Sequence, residues 1–529
     1  MKAATKREII WLIVLSAIYA IGWTMGRYFL YTGNYTGDGG KIRFFTVLGV
    51  SFAISFVGLF FALCFFGKVF ENRSGIKIKP VIFLLIIAAG MVLYTVLFYP
   101  GVSFTDGFRQ LYAYYGFDEW TNHDPAISTL IIGAIHQLGS AIGGTAFGFL
   151  LFAILVQAAS MYLFWRLIRY MNNADMPLWL CILTAVYYAI LPTIRLYSIT
   201  LCKDTGFALA VMWLIFIFID IFKRSKKSRH ADKKDLITLA VCLFIMVNFR
   251  NDGVYVALFS MVLFLICIKG KKLKIISLYY IGGLIAFHLI YGLILPLTPV
   301  QKGSVREALS VPLQQTASYI KQYPDDISVE DRDRLGELFE RDPKIIAEVY
   351  DPDISDPVKF KFKKEPDTKD ISDYIGIWQR GFEKHPELYF KTYANCYYGY
   401  FYPARRGSEE YFYNWAVTDN YKTRFDLAYG DHRSPFEEKV VKVMNKIQKL
   451  PVLVLFVCPG FFVWILLFCY MVLFAKKKRR ALFCLAPLLG VLIVACISPV
   501  NCRIRYILSL VFALPLMISF VAEQIKEKR

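Results

Sequence analysis

Long apolar runs recur along most of this chain, separated by short loops rich in lysine and arginine, and they set the narrowest limits on its fold. A backbone that crosses a bilayer must satisfy its own hydrogen bonds, so runs of this length read as membrane-spanning helices. Twelve spans are expected: 9–29, 44–69, 80–98, 145–168, 175–191, 205–222, 235–250, 254–269, 273–295, 451–475, 481–498 and 506–523. Composition agrees, since 57% of the residues are hydrophobic, above the roughly 45–50% apolar share of soluble domains. The first run continues without a small-residue cleavage site and reads as a span, not as a removable signal.

The net charge of +20 would suit nucleic acid if it lay on one soluble face. Its densest clusters, KRSKKSR at 223–229 and KKKRR at 476–480, are instead wedged between apolar runs, where such loops orient helices toward the cytoplasm. Nucleic acid is therefore not expected as a partner; membrane lipids are. If the N-terminus is cytoplasmic, every dense basic cluster falls on that side and an even span count brings the C-terminus back to it. The expected setting is the plasma membrane, crossed many times. Residues 126–138 read as a short helix in or beside the interface. A thirteenth span there would invert everything after it. Eleven cysteines without CxxC spacing, most of them in apolar runs, read as small buried residues.

The chain then divides into an N-terminal transmembrane module (1–295) with an external loop at 99–144, an extracytoplasmic segment (296–450) and C-terminal transmembrane helices (451–529). The segment 296–450 is rich in Asp, Lys, Glu, Tyr and Pro, and a length of about 150 residues suffices for a small domain. Helices are expected at 305–322 and 330–349, the second starting within SVEDRDR. The aromatic run NCYYGYFYP (395–403) is expected to pack on the membrane face or line a cleft.

The external loop YPGVSFTDGFRQLYAYYGFDEWTNHDP (99–125) supplies Asp106, His123 and Asp124. A carboxylate within reach of a hydroxyl can act as a general base, and two carboxylates can share a divalent cation such as Mg2+ or Mn2+. His123 adds a proton donor or a ligand. Arg195 and Lys203 come from LPTIRLYSITLCKD, Arg250 from FRNDG, and Arg503 and Arg505 from SPVNCRIRY. Positive-inside sorting disfavours cations at outer helix ends, so these five need another reason to be there. An anionic ligand supplies one, because guanidinium groups match phosphate oxygens. The competing reading makes them inter-helix ties to Asp204, Asp252 and other carboxylates. His288, in an apolar run, reads as a satisfied core group. No Walker A or GxGxxG pattern points to a nucleotide.

Taken in order, YPGVSFTDGFRQ, NHDPAISTL, RLYSITLCKDTGFALA, NFRNDG, REALSVPLQQTASYI, NCYYGYFYP and SPVNCRIRYILSLVFALPL resemble the integral-membrane glycosyltransferases of the GT-C superfamily. More closely, they resemble a poorly characterised bacterial family of such proteins. The resemblance implies an all-α GT-C-like bundle with an extracytoplasmic α-rich domain. It also implies transfer of a sugar from a polyprenyl-phosphate donor in the outer leaflet to an envelope acceptor. Asp106 then matches the acidic residue of the first large external loop, which activates the acceptor or holds a metal, and Arg503 and Arg505 suit the lipid phosphate. This chain departs from the pattern in two ways: Asp106 follows the third span, not the first, and has no adjacent acidic partner. A transporter or flippase of a lipid-linked or anionic solute is the alternative, and it would predict an internal repeat and charges at mid-membrane. No clear repeat is found. A non-catalytic scaffold that binds through 296–450 is a third possibility.

Overall fold

The apolar runs fold as helices, as hydrophobic length alone requires. The structure, a computed structural model, describes residues 5–32, 40–71, 79–103, 105–226, 232–407, 435–447 and 449–526. The N-terminal half contains α1 (Lys6–Thr32), α2 (Gly40–Glu71), α3 (Pro80–Leu97), α4 (Thr105–Tyr115), α5 (Ala126–Gly143) and α6 (Thr145–Asn173). It continues with α7 (Leu178–Ile190), α8 (Pro192–Ile199), α9 (Lys203–Lys226), α10 (Lys233–Phe249), α11 (Gly253–Cys267) and α12 (Lys271–Ile294). Helices Pro459–Ala475, Ala486–Ala495 and Leu508–Lys526 close the bundle. The chain is an all-α, multi-pass membrane protein.

Among the described residues, seven helical stretches are long and apolar enough to cross a membrane, with Ala126–Asn173 (α5 and α6) counted as one, or eight if the bent pair α7–α8 is one span. Helices α11 and Pro459–Ala475 are apolar but shorter. The interfacial helix expected at 126–138 instead runs from Ala126 to Gly143 and folds back on α6 as a hairpin. Gly139 and Gly148 permit this, since a Cβ on Gly139 would lie 2.6 Å from the Gly148 Cα.

Helices α9 and Leu508–Lys526 are buried along most of their length and form the centre; α2 and α12 lie at the edge. One end of the bundle is stitched by ion pairs: Lys476–Glu8 at 2.6 Å, Lys223–Glu523 at 2.7 Å and Lys526–Asp175 at 3.0 Å. The basic clusters at 223–226 and 476 therefore share one face, as the loop charges imply. Residues 227–229 of KRSKKSR lie outside the described set.

The segment after α12 builds its own core. Helices α13 (Ser310–Gln322), α14 (Val329–Phe339), α15 (Pro343–Glu348), α16 (Asp356–Lys359), α17 (Thr368–Lys384) and α18 (Pro386–Tyr397) enclose Leu313, Leu335, Phe339, Phe362, Tyr374 and Tyr389. The start of α14 within SVEDRDR is fixed by Ser328, whose side chain accepts from the Asp331 N–H. The expected helices at 305–322 and 330–349 are each divided: only a short 3-10 turn occupies Val305–Glu307, and α14 and α15 share the second stretch. Helix Pro435–Ile447 contributes elsewhere, since Met444 clusters with Tyr94 and Phe98 of the bundle. The aromatic run docks on α1, with the Phe29 and Tyr398 ring centroids 5.5 Å apart, and on Pro459–Ala475, where the Trp464 Nε1–H donates to the Phe401 carbonyl at 2.9 Å.

Candidate functional site

At the end of the bundle opposite the Lys223–Glu523 tie, two extended dipeptides meet. Val102–Ser103 (β1) pairs in parallel with Thr200–Leu201 (β2), Val102 opposite Thr200. This brings the start of α4 beside the start of α9, and so Asp106 beside Lys203 and Asp204. Gly107 makes the approach possible, because a Cβ there would sit 2.1 Å from the Leu201 carbonyl oxygen.

On α4, Asp106 and Arg109 lie three residues apart and share a face. Arg109 bridges two carboxylates: its Nη2 lies 3.2 Å from Asp106 Oδ1, and its Nε donates to Asp124 Oδ2 at 2.6 Å. Lys203 Nζ donates to the other oxygen of Asp124. Arg505 closes the ring, its Nη1 3.1 Å from Asp106 Oδ2 and its Nε 3.8 Å from Asp204 Oδ2. Burial alone would raise the Asp106 carboxyl, but the charges of Arg505, Lys203 and Arg109 hold it well below the ordinary carboxylate range. Asp124 shows the same contest: burial raises it, and Lys203 and Arg109 prevail. His123 is pushed down by burial and by Arg109 and Lys203, which outweigh Asp124 and Glu307, so the imidazole favours its neutral form.

The ring opens into a cleft of about 1910 Å³ between the bundle end and the α13–α18 segment. Asp106, Arg109, His123, Arg503 and Arg505 line it. An apolar strip continues from α10, α11 and α12 through Val247, Val254, Tyr255, Phe287 and Tyr291 to Leu295, just past the end of α12. The loop carrying Arg503 and Arg505 is held from the domain side, where Asn501 donates to Asp353 Oδ1 at 3.1 Å and to the Asn395 carbonyl at 2.8 Å.

Several expectations are corrected by this arrangement. Arg195 does not reach the cleft: it is 1% exposed in the bundle core, its guanidinium carbon 5.8 Å from the centre of the Phe164 ring. Lys203 and Arg250 sit behind the wall as ties, Lys203 to Asp124 and Arg250 to Asp252 at 2.7 Å and Asp204 at 3.3 Å. For these two the inter-helix reading holds. Arg505 combines both roles, and Arg503 lines the cleft without an ion pair among the described residues. His288 is exposed and faces the cleft, so it is not a core group.

Asp106 and Asp124 do not fit a shared divalent cation. The Arg109 guanidinium already bridges them and Lys203 fills the remaining side of Asp124, so the donor set is neutralised from within. Among the described residues no group of three or more His, Cys, Asp or Glu side chains gathers to hold a metal.

Sequence reasoning missed how Asn122 is held: its N–H donates to the Gln301 carbonyl at 2.8 Å, and its side-chain oxygen accepts from the Tyr291 hydroxyl at 2.7 Å. It also missed Lys302, Arg306 and Phe360 on the domain wall. The one signal for Lys302 and Arg306 was a cluster of charges just after the last apolar run of the N-terminal module.

A protein-family model described as a family of unknown function (DUF6020) matches residues 118–529. Asp106 and Arg109 lie before the matched stretch; His123, Asp124, Arg503 and Arg505 lie within it. No curated protein matches the chain. No solved structure matches it either.

Proposed function

The chain belongs to the DUF6020 family, and from its site we propose that it transfers a sugar from a polyprenyl-phosphate donor to an acceptor at the outer face of the plasma membrane. The observation that carries this reading is the composition of the cleft. An apolar strip on membrane helices runs into a floor where Asp106 lies against Arg109 and Arg505, beside Arg503, which has no ion pair among the described residues. A ligand with a lipid tail and an anionic head matches that sequence of surfaces.

In this reading the basic ends of the helices face the cytoplasm, together with both termini, and the cleft faces outward. The bundle crosses the membrane twelve times, its shorter helices enclosed by neighbours. The fold is GT-C-like. The acceptor oxygen bonds to the anomeric carbon as that carbon's bond to the phosphate oxygen breaks. The acceptor's proton passes to Asp106, and polyprenyl phosphate leaves with the bonding electron pair, its anion steadied by Arg503. Asp106 is kept ionised by its guanidinium partners, so it is ready to accept the proton. Those partners also make it a weak base, which takes the proton only as the new bond acidifies the hydroxyl.

Mass spectrometry of the cell envelope with and without the protein tests the reading. One sugar should be missing when the protein is absent. Identical envelopes under conditions where the protein is made would oppose it.

A further inference from the structure

The charged side chains that line the cleft leave an uneven remainder once their pairings are counted. Asp106, Arg109 and Arg505 satisfy one another, and Asp252 is taken by Arg250. Lys359 holds both Glu307, at 3.0 Å, and Asp356, at 2.7 Å. Lys364 faces Glu119 at 3.9 Å, with both groups largely exposed. Among the described residues that line the cleft, three cations remain without an ion pair: Lys302, Arg306 and Arg503. They stand against one such carboxylate, Glu365, which is exposed to solvent.

Arg503 belongs to the 499–505 loop, whereas Lys302 and Arg306 belong to the wall built by the segment after α12. Lys302 follows Gln301, which is fixed by hydrogen bonds to Trp120 and Asn122. Arg306 Nε donates to the Lys363 carbonyl at 3.2 Å, its one hydrogen bond from the guanidinium among the described residues. Burial pulls the ionisation of Arg306 down, and Glu340 and Glu307 offset this only in part. Phe360 is on the same wall and is 62% exposed, far more than a core aromatic would be.

A sugar phosphodiester brings one negative charge, which Arg503 meets. Lys302 and Arg306 are then left facing the cleft without an ion pair among the described residues, against the single exposed carboxylate of Glu365. The cleft, at about 1910 Å³, exceeds the roughly 300–1,000 Å³ of an ordinary small-ligand site, so it can admit a second ligand beside the first. We infer that the acceptor is an acidic oligomer, bearing carboxylate or phosphate groups, which the Lys302–Arg306 wall recognises while Phe360 supplies a flat apolar platform. This assignment rests on the transferase reading and adds the acceptor's chemical class to it.

The test uses the purified full-length chain in zwitterionic nanodiscs and three probes of matched length: oligogalacturonate, oligo(glycerol phosphate) and neutral maltohexaose. At least one acidic probe should bind about tenfold or more tighter than maltohexaose, and should weaken as salt rises. Whether the carboxylate or the phosphate probe binds identifies the source of the charge. Lys302→Gln with Arg306→Gln should abolish that preference while polyprenyl-phosphate binding stays unchanged, and Arg306→Lys should restore part of it. Equal binding of all three probes, no binding of either acidic probe, or an unaltered preference in the double variant would overturn the inference. Loss of polyprenyl-phosphate binding in the wild-type chain, with acidic-probe binding intact, would instead overturn the donor reading on which the inference is built.

Discussion

Arg505 Nη1 lies 3.1 Å from Asp106 Oδ2, joining a loop before the last helix to the first turn of α4. The pair closes a ring of charges around the floor of the cleft. It also makes the two arginines of the SPVNCRIRY loop unequal, since Arg503 has no such partner among the described residues.

That inequality gives the first prediction. Arg503→Gln should weaken polyprenyl-phosphate binding by about tenfold or more, the loss of one charge-assisted hydrogen bond, and leave the melting temperature unchanged. Arg505→Gln should lower both, because it also uncovers Asp106 and Asp204. Binding in nanodiscs and thermal melts on the same samples separate the two. Identical behaviour of the variants would remove the distinction.

A second prediction concerns acid. Asp106 and Asp124 have folded-state ionisation below the ordinary carboxylate range, so their stabilising contribution is complete above that range. It is lost as pH falls from about 4 through the lower folded-state values, where the folded protein must take up protons. Melting temperature should therefore drop on that acid limb, and the Asp124→Asn variant should show a flatter limb than wild type. Parallel limbs in the two proteins would assign the acid sensitivity elsewhere.

The third prediction tests the approach of α4 to β2. Gly107→Ala would place a methyl group against the Leu201 carbonyl and the Ser103 hydroxyl, 2.1 and 2.5 Å from the ideal Cβ position. Relief requires α4 to move, which should cost about 1–3 kcal/mol, seen as a lowered melting temperature together with lost activity. A fully active, equally stable variant would mean that the two segments are not so closely apposed.

The helices were largely legible from the chain because hydrophobic length is a local property. The clusters at 223–226 and 476 also share one end of the bundle, where Lys476 ties to Glu8 and Lys223 to Glu523. Partnerships were not legible. Lys203 and Arg250 look like ligand groups in a loop sequence, and although Asp252 is a local neighbour of Arg250, Asp124 reaches Lys203 and Asp204 reaches Arg250 only after helices far apart in the chain have packed. Arg195 fails for the related reason that exposure cannot be read at the bend between α7 and α8. Asp106, singled out from the chain as a candidate base, lines the cleft, whereas the guanidinium bridge that unsuits it to metal comes from tertiary contact.

Sidedness is the fourth prediction. Lys234→Cys and Lys369→Cys, both at exposed positions, should react with an impermeant thiol reagent from opposite faces of the membrane in a background lacking the native cysteines. Labelling of both from one face would contradict the orientation in which the cleft opens outward.

The most direct measurement returns to Asp106. Cells lacking the protein are supplied with either the wild-type chain or Asp106→Asn, the envelope sugars are quantified, and the purified variant is melted alongside the wild type. Asparagine keeps the shape and removes the base, so sugar transfer should fall by roughly 10²–10⁴ in the variant while polyprenyl-phosphate binding persists. The wild-type chain should restore the missing sugar, and a folded Asp106→Asn protein should not. Full restoration by Asp106→Asn, with only its melting temperature lowered, would make Asp106 a structural partner of Arg109 and Arg505 and contradict its role in transfer.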